Sequence, residues 1–237
     1  MARARLAALF LVTIATATAC SGSSAPATTA SPVRPTAPVS STPSAPADQL
    51  RALAARVTTT AFHAVYRAHR SRPASSATLV VDHTARAVRV DVSTHHTTAT
   101  LIAGPSASFA CTRTRHARAC FRVARRGQPI RAPFNLAPQK VFTGDLAALA
   151  RHPERYAVTA AGTRPATSTV PAGQCFRVRP RQTSTAAAPA GTYCFAADGI
   201  LTAVTYPSGN TLRLVRVRLQ QPPARTFRPY SSPTPLP

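Results

Sequence analysis

The stretch that decides the fold is residues 191–206, which read GTYCFAADGILTAVTY. It holds two apolar runs, 193–196 and 200–206, separated by Asp198 and Gly199. An Asp-Gly pair between two short apolar runs is a strong signal for a β-hairpin. The sequence therefore predicts two antiparallel strands here, joined by a tight turn.

Segments of strand character lie on both sides of this hairpin. Residues 88–92, VRVDV, alternate apolar and charged side chains, which is typical of a strand with one buried face. The pattern predicts eight to eleven antiparallel strands, in a sheet with one wet face and one covered face. Further strand signals occur at residues 62–67, 79–81, 100–102, 108–111, 120–123, 156–159, 175–178 and 212–219.

The last strand signal, 212–219, carries an irregularity in its alternation. A β-bulge near Leu214 and Val215 would place the apolar residues of this strand on one face. It would place Arg213, Arg216 and Arg218 on the other face.

Two short helices complete the expected elements. One begins at Asp48, a plausible N-cap, and carries Leu50, Leu53 and Val57 at helical spacing. The second covers residues 145–151 and ends before a His-Pro pair. The fold class is therefore α+β but mostly β: an antiparallel sheet with a few short helices.

Residues 1–19 have the features of a secretory signal peptide. Arg3 and Arg5 precede a short apolar stretch, which small residues follow up to Cys20. This end resembles the lipobox of bacterial lipoproteins, which implies cleavage before Cys20 and a diacylglyceryl group on its sulfur. Acylation would include palmitate-type chains and would anchor the protein to the outer face of the plasma membrane. The alternative is an ordinary signal peptide with an incidental cysteine.

Proline-rich segments flank the expected domain. Residues 20–47 consist almost wholly of Ser, Thr, Ala and Pro, a composition that predicts a lipid-anchored linker with no packed core. Residues 221–237 form a second Pro-rich stretch, expected to be a C-terminal tail. The folded domain is therefore expected at residues 48–220.

Four cysteines remain after lipidation of Cys20. An exported protein is expected to form disulfides, and the favoured pairing joins sequence neighbours, Cys111 with Cys120 and Cys175 with Cys194. A zinc site and a redox site are the alternatives, but neither a C-x-x-C motif nor a Cys/His spacing supports them.

Composition argues against several activities. The chain has 29 Lys+Arg and 6 Asp+Glu, a net charge of +23, so few carboxylates exist for a glycosidase pair or a calcium site. Seven histidines occur, but the adjacent His95 and His96 would point to opposite faces of a strand. The sequence predicts no enzyme activity, no metal and no cofactor.

The arginines form a candidate anion-binding set. One lysine among 29 basic residues is also what a GC-rich coding sequence produces, so the excess has two explanations. The expected anionic partners are cell-wall polymers or lipid head groups, because an exported protein meets little nucleic acid. The candidates are Arg113, Arg115, Arg118, Arg122, Arg125 and Arg126.

The order of these parts resembles a known family. A lipobox, a Ser/Thr/Pro linker, a helix, FHAVY at 62–66, Cys-x8-Cys, GQCFRV at 173–178 and the 191–199 hairpin occur in sequence. This order is similar to that of actinobacterial envelope lipoproteins of the LolA-like superfamily, related to LppX/LprG-type lipid carriers. The resemblance covers about residues 48–229. It implies a curved antiparallel half-barrel with helices on its concave side.

The resemblance implies a lipid-binding function. Carrier members hold acyl chains between the sheet and the helices, so a lipid, glycolipid or lipidated molecule is the expected ligand. A non-carrier module of the same fold, which senses envelope stress or contacts a protein partner, is the alternative. The candidate cavity-lining residues are Phe62, Tyr66, Val90, Phe121, Phe176, Phe195, Leu201 and Leu214.

Overall fold

One large sheet dominates the structure, a computed structural model that describes residues 45–182 and 188–235. Eleven strands pair antiparallel, and a short twelfth strand joins one edge in parallel. The strands are β1 (Phe62–Ser71), β2 (Ala74–His83), β3 (Val88–Ser93), β4 (Thr98–Ala103), β5 (Ala107–Arg113), β6 (Arg118–Arg125), β7 (Tyr156–Arg164), β8 (Gly173–Pro180), β9 (Gly191–Phe195), β10 (Leu201–Thr205), β11 (Thr211–Arg218) and β12 (Thr234–Pro235).

The strand order is β12-β6-β5-β4-β3-β2-β1-β11-β10-β9-β8-β7. Nearly every pairing joins neighbours in the sequence, and β1 with β11 is the main long-range pairing. The sheet is open, because β12 and β7 lie at opposite edges. This confirms the predicted fold class, a mostly β protein built on an antiparallel sheet with a few short helices.

Helices cover one face of the sheet. They are α1 (Pro46–Thr59), α2 (Ala137–Lys140) and α3 (Leu146–Arg151), with a π-helical turn at Val141–Asp145 between the last two. We call the continuous stretch 137–151 the α2–α3 segment and the covered face of the sheet the inner face. None of the helices in the described ranges is long and apolar enough to cross a membrane.

Both helix starts differ from the sequence prediction. Helix α1 begins at Pro46, so Asp48 lies in its first turn and does not cap it, while the predicted apolar stripe is buried. The α2–α3 segment begins at Ala137, far ahead of the expected start at Asp145. Asp145 has helical φ and ψ of −63° and −46° and makes no capping bond. Pro138 explains the earlier start, because proline is compatible with the first turn of a helix.

Side-chain alternation builds a single large core on the inner face. In β1, the inward positions Phe62, Ala64 and Tyr66 are fully buried, and Val90 of β3 is equally buried. They pack in one cluster with the apolar stripe of α1 and with Leu146 and other residues of the α2–α3 segment. Burial of this apolar surface is the main stabilising contribution to the fold.

The 191–206 hairpin forms as predicted. The amide of Ala196 donates to the carbonyl of Ile200 at 2.8 Å, and Gly199 in the turn has a φ of +90°, which favours glycine. A Cβ at Gly199 would lie 2.6 Å from the Cβ of Arg56 on α1, and Arg56 donates to the Ala197 carbonyl at 2.6 Å. The turn is therefore also a packing surface for α1.

The predicted β-bulge is present in β11. Val65 pairs with Arg216 and Tyr66 pairs with Leu214, so Val215 is the extra residue. Arg213, Arg216 and Arg218 share the outer face, as the bulge requires. Val215 and Leu219 differ from the expectation, because they are 42% and 59% exposed and do not join the core.

The sequence predicted a domain that ends at residue 220 and a C-terminal tail after it. In the structure this C-terminal segment is instead part of the folded unit. The carbonyl of Thr226 accepts a 3.0 Å hydrogen bond from Arg89 of β3. Further along, Thr234 of β12 pairs with Phe121 at the β6 edge. Because β12 pairs with β6, fewer backbone N–H and C=O groups are left unpaired at this edge of the sheet. The signal peptide, Cys20 and nearly all of the 20–47 linker lie outside the described residues.

Candidate functional site

An apolar cavity of about 340 Å³ lies between the inner face and α2. Its volume is at the low end of the roughly 300–1,000 Å³ typical of small-molecule sites. The cavity lies where β1, β2 and β11 approach their turns, and α2 forms its other wall. Its apolar lining includes Ala68, Ala77, Val92, Ala137, Val141 and Leu212, and polar residues at its rim include His69, Arg70, Ser75 and Asn210.

Small side chains leave this space open. On β1, inward positions follow the order Phe62, Ala64, Tyr66, Ala68, so the strand passes from a large aromatic ring to a methyl group at the cavity. Ala77 pairs with Ala68 on the neighbouring strand β2. The two methyl groups are too small to fill this space. At the next inward position of β1, Tyr66, aromatic rings fill the corresponding space, because Tyr66 contacts Phe142 with ring centroids 5.0 Å apart.

Gln139 holds α2 over the cavity. Its side chain is buried, and its Nε2 donates to the carbonyls of Val90 and Ala99 at 3.1 and 3.2 Å. Its Oε1 accepts the amide of Leu136 at 3.1 Å. These bonds connect the first turn of α2 to β3 and β4 and fix the cavity wall, because a buried amide without partners would be costly.

A buried carboxylate lies in the same helical segment. Asp145 is 1% exposed, and burial raises its pKa to about 6, although the nearby Lys140 ammonium opposes the rise. The Lys140 Nζ lies 3.5 Å from the Asp145 Oδ1. Lys140 also lines a separate cavity of about 470 Å³, together with Arg151 and His152. Burial raises the pKa of the phenols of Tyr193 and Tyr206, and the Asp145 carboxylate raises both further.

The eight residues predicted to line a cavity lie elsewhere. Seven are buried in the core. Phe121 lies on β6, next to the edge strand β12, and is half-buried. None of them lines the 340 Å³ cavity. The reason is physical, because large apolar side chains fill space and small ones leave it. The seven core residues are Phe62, Tyr66, Val90, Phe176, Phe195, Leu201 and Leu214.

The six candidate anion-binding arginines are exposed but do not form one cluster. Arg113 and Arg118 face each other across β5 and β6, with Arg115 in the turn between them. Arg125 lies at the other end of β6, about 23 Å from Arg118 at the usual rise per strand residue. Arg122 lies between them, and Arg126 follows β6.

Both sequence-adjacent cysteine pairs are disulfide-bonded in the structure. Cys111 pairs with Cys120 across β5 and β6, and Cys175 pairs with Cys194 across β8 and β9. Each disulfide therefore joins directly opposite residues of a hairpin. Within residues 45–182 and 188–235, no three His, Cys, Asp or Glu side chains are placed to hold a metal ion.

No protein-family model and no curated protein matches the chain. Solved structures that resemble it include the MucA/MucB complex of Pseudomonas aeruginosa, at 14% identity and a TM-score of 0.48, over 77% of this chain and 60% of that one. A DUF1329 family protein from Desulfovibrio piger has 9% identity and a TM-score of 0.35, over 78% and 97% of the two chains.

A domain from Vibrio parahaemolyticus, described as an outer membrane lipoprotein-sorting protein domain, has 10% identity and a TM-score of 0.27, over 76% and 94% of the two chains. The present chain thus spans about 60% of the length of the matched chain in the MucA/MucB complex. With TM-scores below 0.5, these likenesses carry no argument about a site or a ligand.

The cavity residues were not among the sequence candidates, although two signals point to them. Pro138 could have been taken as the start of a helix, which would have placed α2 correctly. Ala68 and Ala77 continue the inward alternation of β1 and β2 with small side chains. Neither signal shows that the small residues meet in space.

Proposed function

We propose that this protein is an envelope lipoprotein of LolA-like fold, anchored through Cys20 to the outer face of the plasma membrane, and that it binds a lipid or lipidated molecule. The apolar 340 Å³ cavity between the inner face and α2 carries this proposal. Its walls offer apolar contact from four strands and a helix, which suits an acyl chain. The lipobox-like sequence before Cys20 supports the location.

The proposal assigns binding and not catalysis to the cavity. Its lining is largely apolar and includes none of the six carboxylates of the chain. Acyl-chain binding requires only burial of apolar surface, worth about 25 cal/mol per Å² removed from water. The cavity meets that requirement through its apolar walls.

Native mass spectrometry of the full chain tests the proposal. Collisional activation releases a non-covalently bound lipid and leaves a covalent anchor in place, so the two are distinguished by mass. We expect a co-purifying lipid in the wild-type protein and its loss in Ala77→Phe, whose ring would occupy the cavity. Ala157→Phe on the exposed side of β7 is the matched control and should retain the lipid. A wild-type protein that remains free of lipid in a lipid-rich host would contradict the proposal.

A second candidate function is binding of an anionic cell-wall polymer by the outer face. Arg67 of β1 lies directly opposite Arg213 of β11, and Arg177 and Arg179 project from the same face of β8. Like charges at paired positions are unfavourable without a counter-ion, which a polyanion would supply. Binding of teichoic acid should weaken steeply with salt and fall in Arg67→Gln/Arg213→Gln. Binding that is insensitive to salt would remove this candidate.

A further inference from the structure

The apolar cavity adjoins a second, polar cavity. This neighbour has a volume of about 520 Å³ and is lined by Arg70, Ser71, Arg72, Pro207, Ser208 and Asn210. Arg70 and Asn210 line both cavities. The two spaces therefore meet along the ends of β1 and β11, with apolar walls on one side and polar walls on the other.

The polar cavity is positively charged. Arg70 and Arg72 both line it, and neither forms an ion pair with a carboxylate within the described ranges. All six Asp and Glu side chains lie in those ranges, and none lines either cavity. Two guanidinium groups without a carboxylate partner favour a carboxylate or phosphate ligand, which they bind through paired N–H donors.

The walls of the polar cavity are held in place before any ligand arrives. The amide of Ser71 donates to Oδ1 of Asn210 at 3.0 Å, and the Ser71 hydroxyl donates to the same oxygen at 3.2 Å. The Ser71 hydroxyl also lies within hydrogen-bonding distance of the Ser208 carbonyl. These bonds connect the β1–β2 turn to the β10–β11 turn. A site whose walls are already ordered loses less conformational entropy on binding.

We propose that the two adjoining cavities form one site for a single-chain amphiphile with an anionic head, its chain in the apolar cavity and its carboxylate or phosphate between Arg70 and Arg72. This inference rests on the proposed lipid-binding function and names its ligand class. The modest volume of the apolar cavity favours one chain over two or three. The arginines lie at the rim, outside the apolar walls. The ligand must therefore carry its charged group at one end and its apolar chain at the other.

Matched probes test this assignment on the full chain carrying Cys20→Ser, which removes the thiol that an anchor would need. The probes are dodecyl phosphate, neutral 1-dodecanoylglycerol, didodecanoyl phosphatidylglycerol and inorganic phosphate. Each is titrated calorimetrically, with the three lipids kept below the concentrations at which they aggregate. We expect dodecyl phosphate to bind about tenfold more tightly than the neutral probe, since two exposed charge contacts each contribute a modest amount. Raising the salt concentration should reduce this preference.

Arg70→Gln/Arg72→Gln should weaken dodecyl phosphate binding about tenfold and change binding of the neutral probe less than twofold. Arg86→Gln, an exposed arginine in the turn at the other end of β2, is the control and should change neither. Equal binding of the two single-chain probes, unaffected by the arginine substitutions, would overturn the inference and leave the proposed function standing. Failure of all three lipid probes to bind would overturn the proposed function itself.

Two further outcomes bear on the ligand class. If inorganic phosphate binds as tightly as dodecyl phosphate, the arginines form a free-anion site and the inference is wrong. If the two-chain lipid binds more tightly than dodecyl phosphate, the single-chain assignment is wrong.

Discussion

The inner face of the sheet has two ends that differ in side-chain size. At one end, which we call the packed end, Phe62 of β1 and Phe195 of β9 are buried in the core cluster. At the other, the cavity end, Ala68 and Ala77 face each other below α2 and leave about 340 Å³ open. One sheet with one pattern of alternation produces both, so the volume of the inward side chains, and not the fold, decides where space remains open.

Truncation of a large side chain should have the largest effect, and it should be greater at the packed end. Phe195→Ala is expected to lower the free energy of unfolding by about 3–5 kcal/mol, because it removes buried contacts and leaves a void. Leu212→Ala at the cavity end should cost about 2 kcal/mol, the lower limit for such changes, since part of the surrounding space is already open. Urea unfolding measures both. Equal losses would contradict the distinction between the ends.

Two turn glycines provide a matched pair. Gly199 and Gly209 both have positive φ, +90° and +81°, so alanine introduces backbone strain of about 1–2 kcal/mol at either position. At Gly199 the new Cβ would also lie 2.9 Å from the Leu53 carbonyl oxygen of α1, whereas at Gly209 its nearest neighbour is the Ser71 side chain at 3.3 Å.

We therefore expect Gly199→Ala to cost about 2–4 kcal/mol in total and Gly209→Ala about 1–2 kcal/mol. Thermal unfolding monitored by circular dichroism compares them directly. A Gly209→Ala protein that is less stable than Gly199→Ala would show that the cavity end is packed more tightly than its open volume indicates.

Asp145 makes stability depend on pH. Its pKa is raised from the ordinary value of 3.8 to about 6 by burial, so between these pH values the folded state keeps a proton that the unfolded state has released. Stability therefore falls as the pH rises through this window, by about 2–3 kcal/mol if the whole shift is expressed. Asp145→Asn should lack this fall, so its stability relative to the wild type should rise between pH 4 and pH 7. Parallel pH profiles of the two proteins would refute the assignment.

The smallest expected effects come from enlarging two alanines on the same face of β1. Ala64→Leu at the packed position should cost about 1–3 kcal/mol, because no space exists for the added carbons. Ala68→Leu should change stability by about 0.5 kcal/mol or less, since the side chain would extend into the cavity. The same chemical change four residues apart thus reports local packing. Chemical denaturation of both variants checks it, and a large loss in Ala68→Leu would argue against an open cavity.

Much of the fold could be predicted from local sequence. Alternation in β3, the Asp-Gly turn before β10 and the bulge at Val215 all follow from short patterns whose physical cause is confined to a few neighbouring residues. The C-terminal segment could not be assigned in this way. Its proline-rich composition indicates a tail, yet Arg89 and the β6 edge supply partners that only the folded sheet brings into reach.

The sequence by itself determined the mostly β architecture, the alternation of inward and outward positions in strands such as β3 and a favoured pairing of the cysteines, because each depends on side chains close together along the chain. Only the tertiary structure decided where space remains. The cavity is the volume that remains when the side chains of β1, β2, β3, β11 and the α2–α3 segment are subtracted from the space these elements enclose. Ala68, Val141 and Leu212 come from distant parts of the chain, so no local pattern contains that difference, and packing reveals it only when these elements meet.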